Sequence, residues 1–160
     1  WGHQFLAQAL GGRVVDTGAY ELGYEQIARV GDDPLFEGVP ESFTAFETHS
    51  DRVAELPLGA ATLARNERGV QAFRVGSAYG VQFHPEYDRE TAVWVTKGKD
   101  LPDERIRSVL DGISDESVAA ARETKAVFDN FRRLAETHQP VRRSRPSHPR
   151  PKRPRRGRNA

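Results

Sequence analysis

Tyr79-Gly80-Val81-Gln82-Phe83-His84-Pro85-Glu86 is the stretch on which the reading of this chain turns. Its apolar residues predict a buried strand from Tyr79 to Phe83, closed by a histidine and a glutamate two positions apart. In extended backbone, residues i and i+2 point to the same side. Pro85 between them fixes one φ angle and removes a backbone donor, which stiffens the strand end. An imidazole and a carboxylate held side by side suit a general base and the group that orients it. Such a pair taken alone is more often structural than catalytic. It also needs a nucleophile, and the chain has no Cys and no evidently activated Ser.

Upstream, residues 1–12 (Trp-Gly-His-Gln-Phe-Leu-Ala-Gln-Ala-Leu-Gly-Gly) predict a short helix. Phe5, Leu6, Ala9 and Leu10 form its apolar stripe, and Gly11-Gly12 forms its stop. Short strands are predicted at Val14-Val15, from Gly23 to Val30, and from Ser42 to Thr48, the last running into His49-Ser50-Asp51 at a strand end. Residues 32–40 read as a Pro/Gly-punctuated loop with one helical turn after Pro34. The turn Asn66-Glu67-Arg68-Gly69 between Ala61–Arg65 and Val70–Val75 predicts a hairpin.

Downstream of Glu86 the pattern becomes helical. Thr91 to Lys97 is read as a helix, and Ile106, Val109, Leu110 and Ile113 have helical spacing. Ser114 is positioned to cap a long helix from Asp115 to Thr137 with Ala120, Val127, Phe131 and Leu134 on one face. Acids at its start, and Arg132, Arg133 and His138 near its end, match the helix dipole, and Pro140 ends it.

The formal net charge of +1 conceals a division. Residues 141–160 hold nine Arg or Lys and no acid, which leaves 15 basic against 23 acidic side chains, net −8, in residues 1–140. The expected organisation is an ordered unit over residues 1–139 and a disordered basic, Pro-rich tail over residues 140–160. Such a tail could bind nucleic acid electrostatically or dock on the acidic body. No apolar run has the roughly 18 residues of a membrane span, so a cytoplasmic protein is expected. No His/Asp/Glu spacing suggests a metal, and no cofactor is expected.

Trp1-Gly2-His3-Gln4, the glycine-pair helix end, His49-Ser50-Asp51 and Gly80-Val81-Gln82-Phe83-His84-Pro85-Glu86 follow one another as in class I (triad-type) glutamine amidotransferases. Over about residues 1–135 the chain resembles that family, most of all the amidotransferase domain of GMP synthases and their stand-alone relatives. The resemblance implies an α/β, flavodoxin-like fold: a mostly parallel sheet flanked by helices, with a smaller antiparallel part. It implies glutamine as substrate and, to accept the ammonia, a synthetase domain or subunit.

In that family the nucleophilic cysteine directly precedes the Trp-Gly-His-Gln motif, so the resemblance makes this chain a fragment that starts one residue too late, incomplete at its N-terminus, poorly stable and inactive alone. The thiolate forms a thioester with the glutamine side chain. By the same resemblance His84 and Glu86 are catalytic, the Trp1 backbone N–H is an oxyanion donor, and Gln4, Ser50 and Asp51 bind substrate. His3 and His49 are read as structural. A catalytically silent binding or regulatory module and a γ-glutamyl hydrolase remain as alternatives.

Overall fold

The computed structural model describes residues 2–137. The expectations for Trp1 and for a tail over residues 140–160 lie outside them. Helix α1 (Gly2–Ala9) leads into five strands: β1 (Arg13–Arg29), β2 (Ser42–Glu55), β3 (Ala61–Asn66), β4 (Gly69–Val75) and β5 (Ala78–Val81). Four helices follow: α2 (Arg89–Lys97), α3 (Asp103–Asp111), α4 (Asp115–Ala121) and α5 (Ala126–Thr137).

The strands form one sheet in the order β2-β1-β3-β4-β5, and every pairing in it is antiparallel. The mostly parallel sheet expected from the resemblance is therefore not found among the described residues. The reason is connectivity. Short turns can join only antiparallel neighbours, whereas parallel strands need a crossover of a dozen or more residues, usually helical. Here all four later helices follow the last strand, so no described strand pair has a helical crossover.

The two short strands predicted at 14–15 and 23–30 are one long strand, β1, paired with β2 along nearly its whole length. The pairing passes from Asp16↔Asp51 to Glu21↔His49, so four residues of β1 (17–20) face only Ser50 of β2. Thr17 Oγ1 donates to Ser50 O (2.8 Å) and pins this bulge over it. His49-Ser50-Asp51 thus lies inside β2 and not at a strand end. The Asn66–Gly69 hairpin is as expected: Asn66 Oδ1 accepts from the backbone N–H of Arg68 (2.9 Å) and Gly69 (3.2 Å).

The sheet curls until its two ends meet. After β5, Gln82 N still donates to Gln71 O on β4 (2.8 Å), but two residues later His84 N donates to Phe46 O on β2 (2.9 Å). This change of partner carries His84 from one edge of the sheet to the other, beside the segment that holds His49-Ser50-Asp51. Phe36, Phe43 and Phe83 pack together on one side with Ile27, Leu35 and Val127. Leu22 and Phe46 pack under α2 and α3 with Ala92, Val109 and Ile113.

Helix α1 forms where expected, but it presents a different face. His3 and Ala7 are buried, while Phe5 and Leu10 are exposed. A small residue and a flat ring let the helix lie close to β4 and β5, with His3 edge-on to Phe73 (centroids 5.0 Å apart). Gly80 is needed for this approach: a Cβ there would lie 2.9 Å from Phe73 Cε1 and 3.3 Å from His3 Nδ1. At the helix end, a Cβ on Gly12 would meet Glu55 O at 2.7 Å and Ala7 O at 2.9 Å.

The long helix predicted from Asp115 is divided by a tighter turn at Arg122–Lys125. Ser114 caps its first part with a reciprocal capping box to Ser117. The break shifts the helical phase, so of the predicted stripe Val127 is buried and Leu134 packs beside it, whereas Ala120 and Phe131 are exposed. Asn130, buried, fastens α5 to the turn at Pro34–Phe36 by donating to Leu35 O (2.9 Å) and Glu37 O (2.8 Å). No helix among the described residues is long and apolar enough to cross a membrane.

Candidate active site

His84 Nδ1 and Glu86 Oε1 are 2.7 Å apart. They meet in a turn and not, as the i, i+2 argument had it, along extended backbone: Tyr87 N donates to His84 O across it (3.4 Å). Pro85, buried, has a fixed φ that suits this turn. The Tyr87 ring stacks on the His84 imidazole with centroids 4.4 Å apart and planes inclined by 25°. The imidazole is thus held on two sides, by a carboxylate at Nδ1 and by a ring on one face. Burial alone would raise the Glu86 carboxyl, but the hydrogen bond from His84, a backbone hydrogen bond and the attraction of His84 together outweigh it and hold the group below the usual carboxylate value.

A cleft of about 430 Å³ opens at the start of α1. Gln4, Ser50, Asp51 and His84 all line it, with Gly2 at the helix end. Glu86 lines an adjoining hollow of about 300 Å³ that Gly2 and His84 also line. Gln4 Nε2 donates to Asp51 O (3.0 Å), which ties α1 to β2. Ser50 Oγ donates to Asp51 Oδ1 (3.3 Å). His49 Nδ1 lies 2.9 Å from the same Asp51 carbonyl. Residues predicted from three separate motifs therefore share one concavity. Trp1, the sixth of them, is outside the described residues.

His3 and His49 both avoid the role of a free base, for opposite reasons. Burial against Phe73 lowers the His3 pKa to about 4, so its ring is neutral. His49 Nε2 sits 3.0 Å from Glu21 Oε2 and 3.1 Å from Glu47 Oε2, and both carboxylates are buried. Burial opposes its charge, but the hydrogen bonds and charges of Glu21 and Glu47 prevail and raise it to about 9. Burial raises Glu47 to about 7.

Glu21, Glu47 and Tyr87 were missed by the sequence reading. Glu47 had a usable signal: it shares the alternation of Phe43 and Ala45, so it is an acid in an inward register. Glu21 and Tyr87 had none, since their partners come from distant strands or from the turn itself.

Comparison with known proteins identifies the relatives of this chain. The family model described as glutamine amidotransferase class-I matches residues 1–93. The glutamine-hydrolyzing GMP synthase of Thermosipho africanus is 42% identical over 89 residues, which is 54% of this chain and 17% of that protein. In Thermococcus kodakarensis, one subunit of the glutamine-hydrolyzing GMP synthase is 40% identical over 88 residues, 53% of this chain and 47% of that one. The chain thus spans less than half the length of these curated relatives.

Among solved structures, a glutamine amidotransferase from Thermotoga maritima superposes with a TM-score of 0.67 at 26% identity, over 84% of this chain and 59% of that one. A glutamine amidotransferase from Methylobacillus flagellatus, 21% identical with a TM-score of 0.65 over 82% of this chain and 59% of that one, shares the fold. With its motifs gathered in one cleft and 93 of its 160 residues matched by the family pattern, this chain belongs to the class-I glutamine amidotransferase family.

Proposed function

We propose that this chain supplies the base, its orienting carboxylate and the glutamine-binding wall of a glutamine amide hydrolysis site. The observation that carries the reading is the 2.7 Å pairing of His84 with Glu86 at a cleft lined also by Gln4, Ser50 and Asp51. With Nδ1 engaged by Glu86, Nε2 is the nitrogen that works. It takes the proton of a thiol, whose sulfur attacks the amide carbon of glutamine. As the C–N bond breaks, His84 returns that proton to the leaving nitrogen, and ammonia departs. Water then attacks the thioester carbon while His84 takes its proton. The C–S bond breaks, and glutamate and the thiol are regenerated. Glu86 fixes the ring orientation and stabilises the imidazolium in both halves.

The chain has no cysteine, so the thiol comes from outside these 160 residues. The family resemblance puts it directly before Trp1 and implies that the Trp1 N–H is an oxyanion donor, a role that a helix N-terminus favours through its dipole. The parallel strands of the fold would belong to the same preceding segment. By itself the 160-residue chain should be inactive. Likeness to GMP synthases, in one of which the matching chain is a subunit of its own, supports transfer of the ammonia to a synthetase domain or subunit.

The test is glutamate and ammonia release from glutamine by the full-length protein, with His84→Ala expected to abolish it. Labelling by an electrophilic glutamine analogue should fall on the residue before Trp1. Absence of both would leave a silent binding module. Faster cleavage of other γ-glutamyl compounds than of glutamine would make the protein a hydrolase.

A further inference from the structure

His49 lines the cleft beside Ser50 and Asp51, with the buried carboxylates Glu21 and Glu47 at its Nε2, and the mechanism above does not use this group. His49 faces acceptors at both ring nitrogens. Nδ1 is 2.9 Å from the Asp51 carbonyl, which can only accept a hydrogen bond, so Nδ1 carries a hydrogen. Nε2 is within 3.1 Å of two carboxylates, close enough for their charge to favour a second ring proton. An accepting carbonyl at one nitrogen and two carboxylates near the other favour the imidazolium, in line with its elevated pKa.

The charges around it come from several elements, Arg52 and Glu67 lining the same hollow as Glu21 and His49 and Glu25 acting on Glu47. Glu21 belongs to β1 and Glu47 to β2, Arg68 in the β3–β4 turn lies 3.9 Å from Glu21, and His3 of α1 is neutral. Glu21 is fixed in turn by Asn66 (2.5 Å), and Gln71 donates to Asn66 (2.9 Å). The Asp51 carbonyl that His49 holds also accepts from Gln4, so one oxygen joins the buried group, β2 and α1.

We propose that His49 is a positioning residue: clamped by Glu21 and Glu47, it donates to the Asp51 carbonyl and so holds the Ser50–Asp51 backbone and Gln4 in the shape that takes glutamine. This rests on the reading of the cleft as the glutamine site. His49 touches no reacting atom. Its loss loosens the wall that binds substrate and leaves the His84–Glu86 pair intact.

The test compares the full-length protein with His49→Asn and with Glu47→Gln in glutamine hydrolysis, and by calorimetric titration with glutamate. Losing a hydrogen bond to a charged group is expected to raise KM for glutamine about tenfold, with kcat within about threefold. Glu47→Gln, nearly isosteric, is expected to raise KM by about threefold to fivefold. In the unsubstituted protein, the ¹⁵N spectrum of the histidines should show His49 with both ring protons at pH 8, and its Nδ1–H should shift when glutamate binds. An unchanged KM in either folded variant, or a His49 signal indifferent to glutamate, overturns the proposal, and the spectrum decides it even if neither variant folds. If the full-length protein binds glutamate but does not hydrolyse glutamine, the activity reading fails, while the affinities still decide the role of His49.

Discussion

In the proposed reaction Glu86 orients His84, and replacing it by Gln separates its charge from its shape. Gln keeps an oxygen that can accept from His84 Nδ1, so the ring can stay where it is. What disappears is the negative charge that favours the imidazolium. Unit charges about 4 Å apart interact by about 1 kcal/mol in water and about 4 kcal/mol near a protein surface. The Glu86 side chain is 50% exposed and that of His84 29%, so solvent pulls the value towards the lower limit. We take about 1.4–2.8 kcal/mol, a fall in kcat of about 10- to 100-fold. This is far less than the roughly 10⁴-fold loss at a fully buried triad carboxylate.

The assay is glutamate release by the full-length protein at saturating glutamine, with a thermal melt of the same samples. An exposed pair contributes about 0–1 kcal/mol to stability, so the melting temperature should barely move. A fall of less than threefold would show that His84 needs no charge beside it. A fall near 10⁴-fold at unchanged stability would refute the screening argument.

Three further outcomes are expected. Gly80→Ala places a Cβ 2.9 Å from Phe73 Cε1 in a packed contact, and should cost the full-length protein about 1–3 kcal/mol, roughly 3–10 °C in melting temperature; an unchanged melt would mean that α1 can lift off β5 freely. His3 is held neutral by burial, with its pKa lowered from 6.5 to about 4, so below pH 6.5 the unfolded chain binds a proton that the folded chain refuses. Stability present above pH 6.5 should therefore be lost as pH falls towards 4, by up to about 3 kcal/mol, and denaturant titrations of His3→Leu should lack that share of the loss; parallel profiles would refute the burial argument. The isolated 160-residue chain leaves Phe5 74%, Trp94 75%, Phe128 49% and Phe131 47% exposed, and should bind a hydrophobic dye and aggregate; a cooperative melt without dye binding would contradict this.

Local chemistry was enough for much of the fold. Gly11-Gly12 ends α1, Asn66–Gly69 forms a hairpin, Ser114 caps α4, and α2 and α3 lie where apolar spacing puts them. Each of these depends on torsion preferences and side chains within a few residues, which a single stretch of sequence carries in full. The His84–Glu86 pair was legible for the same reason, although a turn brings it together where an extended strand had been expected.

The rest depended on distant partners. That β1 runs unbroken through a bulge over Ser50 is decided by its pairing with β2. That Phe5 is exposed and His3 buried is decided by how closely Gly80 lets α1 approach. That Glu21 and Glu47 are buried is decided by His49 between them. The sequence by itself determined which groups could act as base, orienter and binding wall. Only the tertiary structure decided that base and binding wall share one cleft, with the orienter beside it, because the hydrogen bond from His84 to Phe46 closes a curled sheet between residues far apart in the chain, and no local preference encodes such a closure.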